Sequence, residues 1–168
     1  SQVPSNHPEL ETRFKDCVTG DIVEISYDAL RISNLIGQII NNEGGCALII
    51  DYGDWRSLGD TVQAVKNHQF VDIISAPGEV DLTAHVDFDA IVNAASCAAS
   101  RLTPQGVLLE RLGITPRAQT LAKNLSGPAL EHHIAAHRRL THPDEMGTVF
   151  KALALFPKAS QPPPGFQT

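Results

Sequence analysis

The chain has 168 residues, of which 42% are hydrophobic and 19% charged, and a formal net charge of −6. That is enough chain for one domain with its own core, at an ordinary globular composition. The acidic balance argues against a nucleic-acid-binding surface, which usually shows a basic patch, and no apolar run approaches the roughly 18 residues that a transmembrane helix needs.

Residues 1–8 (SQVPSNHP) read as loop, without a signal or transit pattern. With serine at the first position, this is how a chain begins inside a larger protein or after processing. The loop-like lead-in is expected to run over residues 1–20. Residues 21–26 (DIVEIS) alternate as a strand would. In residues 28–41, Leu30, Ile32, Leu35, Ile36, Ile39 and Ile40 recur at three and four, which predicts an amphipathic helix with Asp28 near its N-cap. Residues 41–45 (NNEGG) stop it. The run 46–50 (CALII) is continuously apolar, as in a strand covered on both faces.

Helix, glycine stop, buried strand and polar strand end are the local grammar of an α/β sheet. Ligands in such sheets sit beyond the carboxyl ends of the strands, where Asp51, Tyr52 and Gly53 are expected. Further on, residues 55–60 read as a polar loop, 61–65 as a strand, and 81–96 as a second helix after the break at 76–78 (APG). Thr103 and Pro104 would be the cap and first residue of a helix carrying Leu108, Leu109 and Leu112. Two helices over 115–124 and 129–140 and a strand over 147–156 follow. The proline-rich end, QPPPGFQT, reads as extended.

The three cysteines, Cys17, Cys46 and Cys97, lie far apart and form no CxxC pair. They read as reduced thiols and not as a zinc site. His133 and His137 are four apart, but only Glu131 stands near as a further ligand, so His132, His133 and His137 read as a solvated helix face and no metal is expected.

Four segments carry a resemblance to a known family: GCALIIDYG at 45–53, GDTVQAVKNHQFVDIISAPGEVDLTAHVDF at 59–88, QGVLLERLGI at 105–114 and MGTVFKALAL at 146–155. In this order and spacing they resemble the MidA-like class I S-adenosylmethionine-dependent methyltransferases, a family that includes a mitochondrial protein arginine methyltransferase of respiratory complex I assembly. The resemblance implies an α/β, Rossmann-like fold of which this chain supplies the later strands and helices, residues 21–156, followed by a proline-rich tail at 157–168. It implies that the cofactor-binding half lies upstream, where a glycine-rich turn would hold S-adenosylmethionine. Gly44 and Gly45 precede a strand instead of following one, so this chain alone is expected not to bind the cofactor usefully. The family's Thr-Gln-Gly run is interrupted here, since Pro104 separates Thr103 from Gln105.

The same resemblance makes an arginine of a complex I core subunit the expected acceptor. It also implies a mitochondrial, matrix location (or a bacterial cytoplasm for a bacterial member), with the PPPGF tail closer to the mitochondrial members. No nucleic-acid or membrane partner is implied, and homodimerisation is left open. Site candidates are Asp51, Tyr52, Gly53, Asp81, His85, Asp87 and Gln105, with no catalytic residue singled out. Asp51 would contact cofactor or a guanidinium, or cap the next turn; a carboxylate suits a cationic arginine. Tyr52 would pack over the reacting group or close the core, and Gly53 would permit a turn. Asp81 and His85, four apart, would share a helix face as a carboxylate-oriented base, or as cap and partner. Methyl transfer from a sulfonium is an in-line displacement needing mostly proximity and alignment, so no catalytic dyad is required. The rivals are a non-catalytic complex I assembly factor that binds its client, and a small-molecule methyltransferase.

Overall fold

The computed structural model describes residues 17–167, so residues 1–16 of the expected lead-in lie outside the described residues. Two compact units emerge, one formed by Ser26–Arg56 with the chain from His85 onward, the other by the chain up to Ile25 with Ser57–Ala84.

The larger unit opens with α1 (Tyr27–Glu43). Its N-cap is Ser26 and not Asp28: the Ser26 hydroxyl oxygen accepts from the Ala29 N–H at 3.3 Å, while Asp28 lies in the first turn against Arg31 at 3.5 Å. Aspartate one turn in complements the positive helix terminus without capping it. Gly44 ends the helix at φ 79°, its N–H donating to the Ile40 carbonyl. The apolar stripe divides between two environments. Ile36 and Ile40 pack inward, whereas Ile32, Leu35 and Ile39 stay exposed.

Next comes β1 (Ala47–Asp54), then β5 (Val86–Asp87), α2 (Phe88–Ala95), β6 (Ala98–Ala99), β7 (Thr103–Pro104) and, at the end of the unit, β8 (Phe150–Phe156). The strands lie in the order β5-β1-β8-β6, with β7 also paired to β8. β1 is antiparallel to β8 from Ala47↔Leu155 to Tyr52↔Phe150 and parallel to β5 at Gly53↔Val86 and Asp54↔Asp87. α1 and α2 cover one face, closing a core of Ile40, Phe88, Ile91, Ala95, Leu153 and Leu155. The two helices approach to backbone contact at Gly37, where a Cβ would stand 1.7 Å from the Ala95 carbonyl oxygen. The α/β expectation holds.

β1 departs from expectation in two ways. It runs four residues past Ile50, so Asp51 and Tyr52 lie within it. It is also covered on one face only, because Leu48 and Ile50 remain 54% and 42% exposed. The apolar run reads as a strand covered on both faces, but among the described residues only one of its faces is covered.

Between β7 and β8 lie α3 (Gln105–Arg111), α4 (Ile114–Ala122) and α5 (Gly127–Thr141), then a kinked turn at Pro143–Gly147. Pro104 precedes α3 as its N-cap residue and is not its first helical residue; paired with Lys151 on β8, it is held extended. The three histidines of α5 separate. His132 is exposed, while the His133 ring nitrogen Nε2 lies 2.9 Å from the Ala118 carbonyl. His137 Nε2 lies 3.0 Å from the Thr115 hydroxyl, which donates to Glu110 at 2.7 Å. Two of the three therefore tie helices together instead of facing solvent. Among the described residues no three His, Cys, Asp or Glu side chains gather to hold a metal.

The smaller unit holds β2 (Gln63–Lys66), β3 (Gln69–Val71) and β4 (Asp81–Thr83), an antiparallel sheet ordered β3-β2-β4. Asn67 and His68, both at positive φ (51° and 63°), make the two-residue hairpin turn between β2 and β3, whose left-handed backbone matches the twist of the strands. Residues 21–26 are not a strand. Instead the Glu24 carboxylate accepts from the N–H groups of Thr61 and Val62, at 2.9 and 3.2 Å, and from the Thr61 hydroxyl. The expected helix over 81–96 is really β4, β5 and α2 in succession. Asp87 restarts the chain as the N-cap of α2, its Oδ1 accepting from the Ala90 N–H at 2.9 Å, and its capping strength overrides the longer helical periodicity.

Candidate functional site at the carboxyl ends of β1 and β5

The parallel pairing of β1 with β5 places Asp54 beside Asp87. This register depends on Gly53. A Cβ there would lie 2.2 Å from the Val86 carbonyl oxygen and 2.7 Å from its nitrogen, so a side chain would force β5 off β1. The expected reason for Gly53, a turn, is replaced by a close backbone approach.

Tyr52 stands one residue before this crossing. Its ring meets His85 edge-on, with centroids 5.9 Å apart, and Phe150 of β8 likewise at 5.7 Å. Such T-shaped contacts favour the ring edge against the neighbouring face. Asp51 is half-buried and opposite Lys151 across the sheet. Its Oδ1 accepts from the Tyr52 N–H at 2.8 Å, while the Lys151 ammonium donates to the Thr148 carbonyl at 2.7 Å. Asp54 Oδ1 accepts from the Trp55 N–H at 2.7 Å. Asp54 and Asp87 are thus register partners at the ends of two parallel strands, the end where ligands of open α/β sheets bind, while Asp51, three residues back on β1, points to the opposite face of the sheet.

The remaining candidates take other local roles. Asp81 is on β4 in the smaller unit, and neither it nor His85 lies in a helix, so the helix-face pairing of Asp81 with His85 is overturned. His85 instead belongs with Tyr52. Gln105 is 7% exposed, and its amide donates to the Leu140 carbonyl at 3.0 Å, fastening α3 to the end of α5. That role accounts for its amide without a ligand.

Sequence reasoning missed Phe150, Trp55 and Arg101. Phe150 reaches Tyr52 only through the pairing of β8. Trp55, Ala99, Ser100, Arg101 and Leu102 line a shallow pocket of about 350 Å³, assembled from segments more than 40 residues apart that no motif links. Cys97, packed against the core, has its thiol pushed above the usual range by burial. No strand among the described residues is followed by a glycine-rich turn opening a helix; Gly44 caps α1 before β1. The described residues therefore do not fit the cradle of a nucleotide-like cofactor.

A family model described as "Putative S-adenosyl-L-methionine-dependent methyltransferase" matches residues 1–108. The mitochondrial protein arginine methyltransferase NDUFAF7 of Xenopus laevis is 35% identical over 94% of the chain, and that of Homo sapiens 34% identical over 83%. The chain spans only 39% and 32% of their lengths. A solved protein of Burkholderia thailandensis superposes with a TM-score of 0.76 at 25% identity, over 95% of this chain and 46% of its own. A second from the same organism, bound to S-adenosyl-homocysteine, does so with 0.69 at 24%, over 95% and 44%.

Proposed function

The chain belongs to the S-adenosyl-L-methionine-dependent methyltransferase family, and from that premise we propose that it is the acceptor-side part of a protein arginine methyltransferase. Residues 21–156 are the C-terminal part of the methyltransferase domain, followed by the proline-rich tail at 157–168. The acceptor is an arginine of a respiratory complex I core subunit, and the protein works in the mitochondrial matrix during assembly of that complex. S-adenosylmethionine supplies the methyl group when bound, and the cradle for it lies in the part of the family's chain that these residues do not represent.

The observation that carries this reading is the crossing of β1 and β5, which sets Asp54 beside Asp87 and the Tyr52 ring against His85. A guanidinium is a planar cation that binds carboxylates through paired N–H donors and stacks on aromatic rings. Asp54 and Asp87 would hold and orient it, and Tyr52, on the same face of β1 as Asp54, would limit its movement. Orientation is most of what an in-line displacement requires. The free edge of β1 supports the wider reading. Among the described residues no strand pairs with β1 over 47–52 on the side away from β8, and Leu48 and Ile50 await cover.

The test is calorimetric titration of S-adenosylmethionine into this chain and into the protein extended through its full reading frame, followed by transfer of a labelled methyl group to arginine. Binding and transfer by the extended protein alone are expected. Binding by neither would overturn the enzyme reading in favour of an assembly factor that holds its client without chemistry.

A further inference from the structure

The three-stranded sheet of the smaller unit leaves apolar side chains in water. Phe70 is 78% exposed, Ile74 77% and Leu82 62%. In the antiparallel register, Val65 sits opposite both Phe70 and Asp81, and Ala64 opposite both Val71 and Leu82. Paired residues share a face, so the two faces differ. The Ala64 row is buried at its centre, where Ala64 is 2% exposed. The Phe70–Val65–Asp81 row is open, with Phe70 and Asp81 exposed at its two ends. After β3, Asp72 accepts from the Ile74 N–H at 2.9 Å in a tight turn where Ile73 and Ile74 are exposed.

Charge on this unit is one-sided. Described residues of the unit carry six carboxylates, Asp21, Glu24, Asp60, Asp72, Glu79 and Asp81, against one cation, Lys66, and Lys66 is taken by Glu79 at 2.6 Å. The insertion leaves the larger unit after β1 and re-enters it at β5, and these two strands are hydrogen-bonded neighbours.

We propose that this open face, the Phe70–Val65–Asp81 row, is a docking surface for the protein substrate: an extended segment in which an apolar side chain lies two or three residues from a cationic one. Strands lie about 4.8 Å apart, so Phe70 and Asp81 stand roughly 10 Å from each other, about the span of three extended residues. The apolar residue covers Phe70 and Val65, and the arginine or lysine meets Asp81 within a field of like sign that draws cations in. This inference rests on the arginine methyltransferase reading for the identity of its occupant.

Two fluorescent peptides with one central arginine provide the test, one flanked by leucine and lysine, the other with glutamate in place of lysine. Their anisotropy is titrated with the full-length protein, its Phe70→Ser variant and its Asp81→Lys variant, with melting temperature as the folding control. The expected result is binding of the basic peptide at least tenfold tighter than the acidic one, weakened about tenfold by either variant at an unchanged melting temperature, and weakened by salt for the wild type more than for Asp81→Lys. Equal binding of both peptides, or full binding by both variants, would overturn the proposal. Methyl transfer is read separately. Transfer that neither variant impairs leaves the enzyme reading standing and removes the docking surface, whereas variant-sensitive binding without any transfer removes the enzyme reading and leaves the surface.

Discussion

β1 and β8 are neighbours in one sheet with similar apolar sequences, ALIIDYGD and FKALALF, yet they live in different surroundings. β8 has strands on both edges, and its residues 152–156 are buried on both faces. β1 has β8 along one edge, meets β5 only at its last two residues, and alternates between half-buried and exposed side chains. Hydrophobicity records that a strand is meant to be covered. What covers it, and on how many sides, is a property of its neighbours.

Four experiments would sharpen or break that contrast. Leu155, fully buried on β8, should lose about 2–5 kcal/mol of stability as Leu155→Ala, because packed surroundings cannot close the cavity. Denaturant unfolding reads it, and a loss below about 1 kcal/mol would mean that β8 is not the centre of the core. Gly53→Ala should cost roughly 1–3 kcal/mol by pushing β5 from β1, since its Cβ meets the Val86 carbonyl. The same variant of the full-length protein should lose methyl transfer out of proportion to its melting temperature.

Leu48→Ser and Ile50→Ser should change the stability of this chain by no more than about 0.5 kcal/mol, as surface substitutions do. In the full-length protein the same changes should cost about 1.5–3 kcal/mol if the open face of β1 is covered there. Equal effects in both proteins would show that this face stays in water.

The smallest effect concerns two thiols, exposed Cys46 just before β1 and half-buried Cys97 beside the end of β8. Iodoacetamide at pH 8 should modify Cys46 first, because burial holds Cys97 in its protonated form. The sign of the linkage follows: a thiol that holds its proton more tightly when folded adds stability below the unfolded thiol range. That contribution is lost as pH rises through the higher folded value. Melting temperatures of wild type and Cys97→Ala should therefore converge above the ordinary thiol range.

Legibility in the sequence followed the range of the interaction. α1 was readable because its apolar residues repeat within one helix and Gly44 stops it, and even there the cap moved from Asp28 to Ser26. The helix over 81–96 was misread because a strong N-cap at Asp87 and short strand pairings at β4 and β5 defeat a periodicity that looks continuous. Of the candidate residues, Tyr52 meets His85 and Gly53 lets β1 run beside β5 next to Asp87, whereas Asp81 lies on β4 and Gln105 fastens α3 to α5.

By itself the sequence determined the elements whose causes are local: helix periodicity, glycine stops, the apolar runs of β1 and β8, and four family segments specific enough to identify the chain's relatives. Only the tertiary structure decided that Gly53 is needed for the crossing with β5, that Tyr52 meets His85 and Phe150, that Gln105 is a fastening between helices, and that the Phe70 row faces water. Each of these depends on groups separated in the chain and brought within a few ångströms by strand register and helix packing, and no local pattern encodes that distance.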